Sequence, residues 1–245
     1  MTQTGGIPGD FAVVLAAAGS GTRFGSGEES GRKQFMELNG RPLIAYSLDI
    51  FSSLSEIGTI CIVAPGEELE TVEELVGAWS EGCSRVAGGE LELSILAGGD
   101  SRQESVRNGV EALSEGSRWI LVHDAARPLL DPGDVRHLME AVREHGAAAL
   151  GYPATDSVKI EAAGISERGL DRDHIWCVQT PQGASVENFS AAYSHARGGE
   201  QHTDELALLE SAGISARLVE GSRENIKVTV PGDDELARFY LSRRG

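Results

Sequence analysis

In Leu15-Ala-Ala-Ala-Gly-Ser-Gly-Thr-Arg23, small residues and glycines run into an arginine, and a second cation, Lys33, follows ten residues later. The run continues Phe11-Ala-Val-Val-Leu15, an apolar stretch that reads as a buried first strand. Glycines at the end of such a strand let backbone N–H groups approach an anion without Cβ interference. The planar fork of an arginine suits phosphate oxygens. The residue types are therefore those that hold a nucleoside triphosphate while one of its phosphates is attacked. Two commoner phosphate loops fail on residues. A dinucleotide fingerprint accommodates Gly19 and Gly21 but meets Phe24 where its third glycine belongs, and 60–64 runs into Pro65-Gly66 with no acidic residue. A Walker A loop needs Gly-Lys-Ser/Thr, whereas Lys33 stands between Arg32 and Gln34. An ordinary tight turn between strand and helix is the competing reading.

Three further clusters could do chemistry. Asp124, in Leu121-Val-His-Asp-Ala-Ala-Arg-Pro128, closes an apolar strand, and a carboxylate there can hold Mg²⁺ against phosphates or cap a turn. Arg127 either binds substrate or locks that loop, and His123 reads as a packed strand-end residue. In Gly98-Gly-Asp-Ser-Arg-Gln-Glu-Ser105-Val, Asp100, Arg102 and Ser105 fall in a loop and the first helical turn. Helix N-termini bind anions and polar base edges, so a nucleobase or ribose contact is the functional reading, with Ser101 as a simple cap. Lys227, between Ile226 and Val228, would point away from both in a strand and reach a cleft, or remain a surface lysine.

These clusters need a scaffold. Apolar runs at 58–64, 91–97, 119–123 and 147–153 read as strands, with helices at 67–79, through Leu113, and at 132–145. Asn39-Gly40 marks a turn, and Arg41-Pro42 opens a helix. The alternation predicts a parallel sheet with helices on both faces, whose ligands sit at the carboxyl ends of the strands. The glycine loop, Gly98 to Arg102 and Asp124 to Arg127 all fall there. Residues 154–178 break the rhythm, since 157–160 and 174–178 are β-prone around a polar stretch. They read as a projecting β-arm, and an arm with exposed edges predicts a two-fold dimer. Helices at 185–196 and 203–211, a strand at 215–220, the segment 225–229 and a final helix after Pro231 complete a single domain over 10–245. Residues 1–9 read as a flexible lead, and 25–32 as a mobile surface segment.

Composition narrows the class. The 245 residues suffice for one sizeable α/β core. A formal net charge of −17, from 21 basic and 38 acidic residues, argues against a nucleic-acid-binding surface. It also means that cations for an anionic substrate must be gathered locally. Cys61, Cys83 and Cys177 have neither disulfide-framework nor metal-ligand spacing, which suits a reducing compartment. No basic residue precedes the apolar run at 11–18, so it is not read as a signal, and no run is long enough to span a bilayer. A cytoplasmic protein is expected.

At these residues the chain resembles a known family. Leu15 to Arg23, Lys33-Gln34, Gly98 to Val106, Val122-His-Asp-Ala-Ala-Arg-Pro128, Asp156-Ser-Val-Lys159, Gln179-Thr-Pro-Gln182, Thr203-Asp-Glu205, Val219-Glu-Gly221 and Asn225-Ile-Lys-Val-Thr229 follow the ordered motifs of the 2-C-methyl-D-erythritol 4-phosphate cytidylyltransferases. The resemblance covers 11–241. It implies an α/β, Rossmann-like nucleotidyltransferase with a mostly parallel central sheet flanked by helices. It further implies CTP and methylerythritol phosphate as substrates, Mg²⁺ or another divalent cation, and a homodimer joined through the arms. By the same resemblance Ala17, Ala18, Gly19, Gly21, Asp100 and Ser105 contact CTP, with Arg102 beside them. Arg23 and Lys33 stabilise the attacked phosphate. Asp124 lies near the metal and the incoming polyol phosphate, with Ala125 and Arg127 on the same loop. Arg172 and Lys227 position the nucleophile, and Ser157 and Thr203 supply hydroxyls. The arm residues Arg172 and Ser157 would act in the partner subunit's site.

The chain departs from the pattern in a longer stretch between Arg23 and Lys33, in Arg32 where proline is expected, and in Ser157 where threonine is commoner. The reaction so implied joins a cytidylyl group to a phosphate that is already anionic, so it needs no general base and rests on positioning and charge stabilisation. The alternatives are a cytidylyltransferase for another alditol phosphate, such as ribitol 5-phosphate, and a silent nucleotide-binding regulator. With the last helix falling close to the end of the chain, a fused second enzyme is not expected.

Overall fold

The computed structural model describes residues 9–18, 36–196 and 200–244. Gly19, Gly21, Arg23 and Lys33, the segment 25–32 and all of the expected lead except Gly9 lie outside the described residues.

The chain opens with β1 (Phe11–Ala16), whose residues are almost all buried because helices cover both faces of the sheet. Next come a small hairpin of β2 (Glu37–Leu38) and β3 (Arg41–Pro42), then α1 (Leu43–Ser52), β4 (Ile57–Ala64) and α2 (Leu69–Ser80). The hairpin turns through Asn39 and Gly40 at φ 52° and 75°, the left-handed geometry that asparagine and glycine tolerate best. The first half closes with α3 (Ser84–Ala87), β5 (Glu92–Ala97), α4 (Arg102–Leu113), β6 (Trp119–Asp124) and α5 (Pro132–His145). Asp131 caps α5, Pro132 occupies its first turn and Gly146 ends it in a left-handed conformation. The second half holds β7 (Ala147–Pro153), β8 (Lys159–Ala162), β9 (Ile165–Gly169), β10 (Trp176–Ser185), α6 (Val186–His195), α7 (Glu205–Ser211), β11 (Arg217–Glu220) and α8 (Asp233–Leu241).

Seven strands form one sheet in the order β11-β7-β10-β6-β1-β4-β5. Only β10 runs antiparallel to its neighbours, β6 and β7. Alternate β1 residues serve opposite cores. Phe11, Val13 and Leu15 pack with α1, α2 and α5, while Ala12 and Val14 pack with α4, α6 and α7. A third cluster joins Leu38 and Leu43 to Leu129, Val228 and Ala237 of α8.

Two expectations change. The arm is narrower than 154–178. Its strands β8 and β9 form a separate hairpin, whereas 176–178 already pair with β7 as the start of β10. The segment 225–229 is not a strand, and tertiary hydrogen bonds hold it instead.

Candidate active site

The parallel ladders continue one residue beyond the strands. Ala17 N–H donates to Val63 O at 2.8 Å, Gly98 N–H to Ala64 O at 2.7 Å and Ala125 N–H to Ala16 O at 3.1 Å. The turns after β1, β5 and β6 are thereby stitched side by side. Gly98 permits that approach, since a Cβ there would lie 2.6 Å from Ser105 Oγ and 2.9 Å from Ala18 Cβ. Ser101 caps α4 through Glu104 N–H, and the Glu104 carboxylate accepts from Asp100 N–H at 2.9 Å. Ser105 is buried, and its hydroxyl donates to Ser101 O at 2.8 Å and accepts from Gly99 N–H at 3.1 Å. Ser105 thus braces the loop from within, while Asp100 stands exposed at its rim.

At the end of β6, Asp124 is only 7% exposed and is clasped on both oxygens. Oδ1 accepts from Arg102 Nε at 3.2 Å and Nη2 at 3.0 Å, and Oδ2 accepts from Lys227 Nζ at 2.7 Å. The other edge of Arg102 meets Glu205 bidentately, Nη1 to Oε1 and Nη2 to Oε2, both at 2.9 Å. Burial works to raise the Asp124 carboxyl, but Arg102 and Lys227 overcome it and hold the group well below the usual carboxylate range. Glu205 is pushed upward by burial, against the opposing pull of Arg102. Both Glu205 oxygens accept hydrogen bonds, the pattern of an ionised carboxylate.

A polar relay supports Asp124 from behind. Its N–H donates to Thr180 Oγ1 at 3.1 Å, and that hydroxyl lies 3.1 Å from His123 Nδ1. His123 Nε2 faces Arg127 O at 3.2 Å. A carbonyl can only accept, so Nε2 carries the proton and Nδ1 accepts from Thr180. Burial pushes His123 down to about 4, which keeps the ring neutral. The loop bearing Lys227 is pinned to the same frame. Arg127 Nη1 donates to Asn225 O at 2.7 Å, Val228 N–H to Ala126 O at 2.9 Å, and Asn225 Nδ2 to Thr180 O at 2.9 Å. Arg127 and Lys227 line a cavity of about 190 Å³ with Tyr152, Gln179, Arg223 and Asn225.

The family model for 2-C-methyl-D-erythritol 4-phosphate cytidylyltransferase, IspD, matches residues 11–243. The chain belongs to this family. A relative of that name in Acidobacterium capsulatum is 37% identical over 240 residues, covering 95% of this chain and 97% of its own. Another, in Pelotomaculum thermopropionicum, is 38% identical over 240 residues, covering 95% and 94%. Among solved structures, the 4-diphosphocytidyl-2C-methyl-D-erythritol synthase of Anaerococcus prevotii superposes with a TM-score of 0.80 at 25% identity, covering 96% of this chain and 97% of that one. The 2-C-methyl-D-erythritol 4-phosphate cytidylyltransferase of Thermus thermophilus gives 0.72 at 28% identity, covering 95% and 98%.

Of the residues the family resemblance singles out, the structure gathers Asp124, Arg102 and Lys227 in direct contact, with Ala17, Ala18, Ala125, Arg127 and Ser105 on the adjoining turns. Four others stay outside the cluster, among them Asp100, exposed at the rim of its loop. Ser157 and Arg172 are exposed in or beside the arm, and Arg172 donates to Thr155 O at 3.1 Å. Thr203 is exposed just ahead of α7. Sequence reasoning did not place Glu205, Thr180 or Asn225 in the site. The available signal was polarity, because Asn225 and Glu205 carry polar groups at positions that prove buried.

Among the described residues, no group of three or more His, Cys, Asp or Glu could hold a metal ion by itself. Asp124 offers a single hard carboxylate whose two oxygens already accept from Arg102 and Lys227, so a divalent cation held there would need phosphate oxygens to complete its shell. No helix among the described residues is long and apolar enough to cross a membrane.

Proposed function

We propose that this chain transfers the cytidylyl group of CTP to the phosphate of 2-C-methyl-D-erythritol 4-phosphate, releasing pyrophosphate and 4-diphosphocytidyl-2-C-methyl-D-erythritol for isoprenoid synthesis. The observation that carries the reading is Asp124, clasped by Arg102 and Lys227 at the meeting point of three strand-end turns, in a chain that matches the family over 11–243. An acceptor phosphate is already a nucleophile, so the protein's task is to position it in line with the α-phosphate of CTP and to offset the charge that develops there. Lys227 presents its ammonium at the cleft edge and suits the acceptor phosphate. Arg23 and Lys33 serve the attacked phosphate on the strength of the resemblance. Asp124 would hold Mg²⁺ or another divalent cation, which neutralises phosphate charge when bound.

The arm supports a homodimer in which Arg172 and Ser157 reach the partner's site. Both are exposed on it, and Ile165, at its tip, is an exposed apolar residue. Sedimentation equilibrium tests this, and a monomer at micromolar concentration contradicts it. Cys61, Cys83 and Cys177 are all free, which supports a cytoplasmic setting.

Pyrophosphate release tests the function. Release with CTP and methylerythritol phosphate, with none when the acceptor is omitted and little when ATP replaces CTP, is the expected result. Faster release with ribitol 5-phosphate overturns the acceptor assignment.

A further inference from the structure

The Thr203-Asp204-Glu205 motif holds a residue that the proposed chemistry does not use. Asp204 has a local task, capping α7 through Ala207 N–H at 2.9 Å. Glu205 does not. Its side chain is 3% exposed, and both oxygens are spent on Arg102, a residue 103 positions away. A buried ion pair of this kind contributes little net stability relative to apolar packing, because desolvation offsets the Coulomb gain. Its geometric effect is larger. A guanidinium bound on one edge can swing about its long stem, whereas one gripped on two edges is fixed in plane and direction.

Arg102 is gripped in that way. It makes four hydrogen bonds, two to Asp124 and two to Glu205. It is therefore committed to carboxylates on both edges and acts on Asp124. Glu205 in turn sits on a rigid base. Leu206 N–H donates to Gln182 Oε1 of β10 at 2.7 Å, and Leu208 and Leu209 are buried in the core.

We propose that Glu205 is a positioning residue, which fixes the guanidinium of Arg102 and through it the orientation and charge balance of the Asp124 carboxylate. Without Glu205, the two cations on Asp124 have one carboxylate between them, and Arg102 is free to leave Asp124 for a substrate phosphate. This rests on the cytidylyltransferase reading only for its kinetic consequence. The placement of Asp124 can be read without turnover.

The test is Glu205→Gln, which keeps the side-chain shape and removes the charge. The ¹³C carboxyl resonance of Asp124, assigned by its loss in Asp124→Asn, should move. kcat should fall roughly 10- to 100-fold, the scale of a small misplacement at a reacting centre, with the KM for CTP changed much less. Glu205→Asp should recover part of the rate. In an Arg102→Gln background the same change should cost almost nothing further, because its route to Asp124 is gone. An unmoved Asp124 resonance, or a full rate loss that persists without Arg102, overturns the proposal. Should Glu205→Gln not fold, Glu205→Asp shortens the reach at constant charge and carries the same resonance test. A parent protein that releases no pyrophosphate counts against the function, while the resonance still decides the role of Glu205.

Discussion

Asp124 owes its ionised state to a contest that burial loses to two cations, and His123 beside it shows burial winning. The imidazole has no carboxylate hydrogen bond of its own and is fully enclosed, held between the Thr180 hydroxyl and the Arg127 carbonyl. Its pKa falls from 6.5 to about 4 on folding. Between those values the unfolded chain binds a proton that the folded chain does not. Stability from this group is therefore complete above the unfolded value and drains away as pH falls through the window. The loss should approach about 3 kcal/mol, taking 1.36 kcal/mol per pKa unit. Urea unfolding at a series of pH values should show a shallower acid slope for His123→Gln than for the parent, and parallel slopes would contradict the relay. At this scale much was legible. Asp124, Arg102 and Lys227 stood out as charges at strand and loop ends in an acidic chain. Glu205 did not, because the bond that gives it meaning spans 103 residues and leaves no local pattern.

Among the elements, regular ones announced themselves and irregular ones did not. The helix at 132–145 is found as read, since cap, proline and terminal glycine all lie in the sequence. The continuation of β10 beyond 178 was missed because Gln179-Thr-Pro-Gln182 is polar and contains proline, whereas a central strand is ordinarily apolar and proline-free. The structure accommodates the run with a register shift between Val178 and Gln182 and with buried hydrogen bonds from both glutamines. The 225–229 segment misleads in the opposite direction. Its apolar alternation mimics a strand, but Ile226 and Val228 anchor a loop in the α8 cluster. Helix α4 illustrates a packing limit that periodicity does not reveal. A Cβ on Gly109 would lie 2.7 Å from Val14 Cγ1 and 3.0 Å from Val63 Cγ2, both on stiff β-branched side chains. Gly109→Ala gains up to ~1 kcal/mol in helix propensity, but overpacking costs about 1–3 kcal/mol. Net destabilisation is expected in chemical denaturation, and a more stable variant would show that α4 can move off the sheet.

Across the whole molecule, separate parts of the chain converge on one carboxylate. The sheet delivers Asp124 on β6, α4 brings Arg102, α7 brings Glu205 to hold it, and the loop pinned by Arg127 and Asn225 brings Lys227. The overall α/β architecture was legible because its alternation of strand and helix is periodic. This convergence was not, because it is made of tertiary distances. It also identifies the measurement that bears most directly on the account, the turnover of Asp124→Asn with CTP and methylerythritol phosphate. Asparagine keeps the shape of the side chain, removes its charge and leaves Arg102 and Lys227 without their shared counter-ion. kcat should fall roughly 10²–10³-fold, the scale of losing one preorganised electrostatic group, with the fold intact by circular dichroism. A folded variant that turns over at the parent rate would contradict the placement of the chemistry at Asp124.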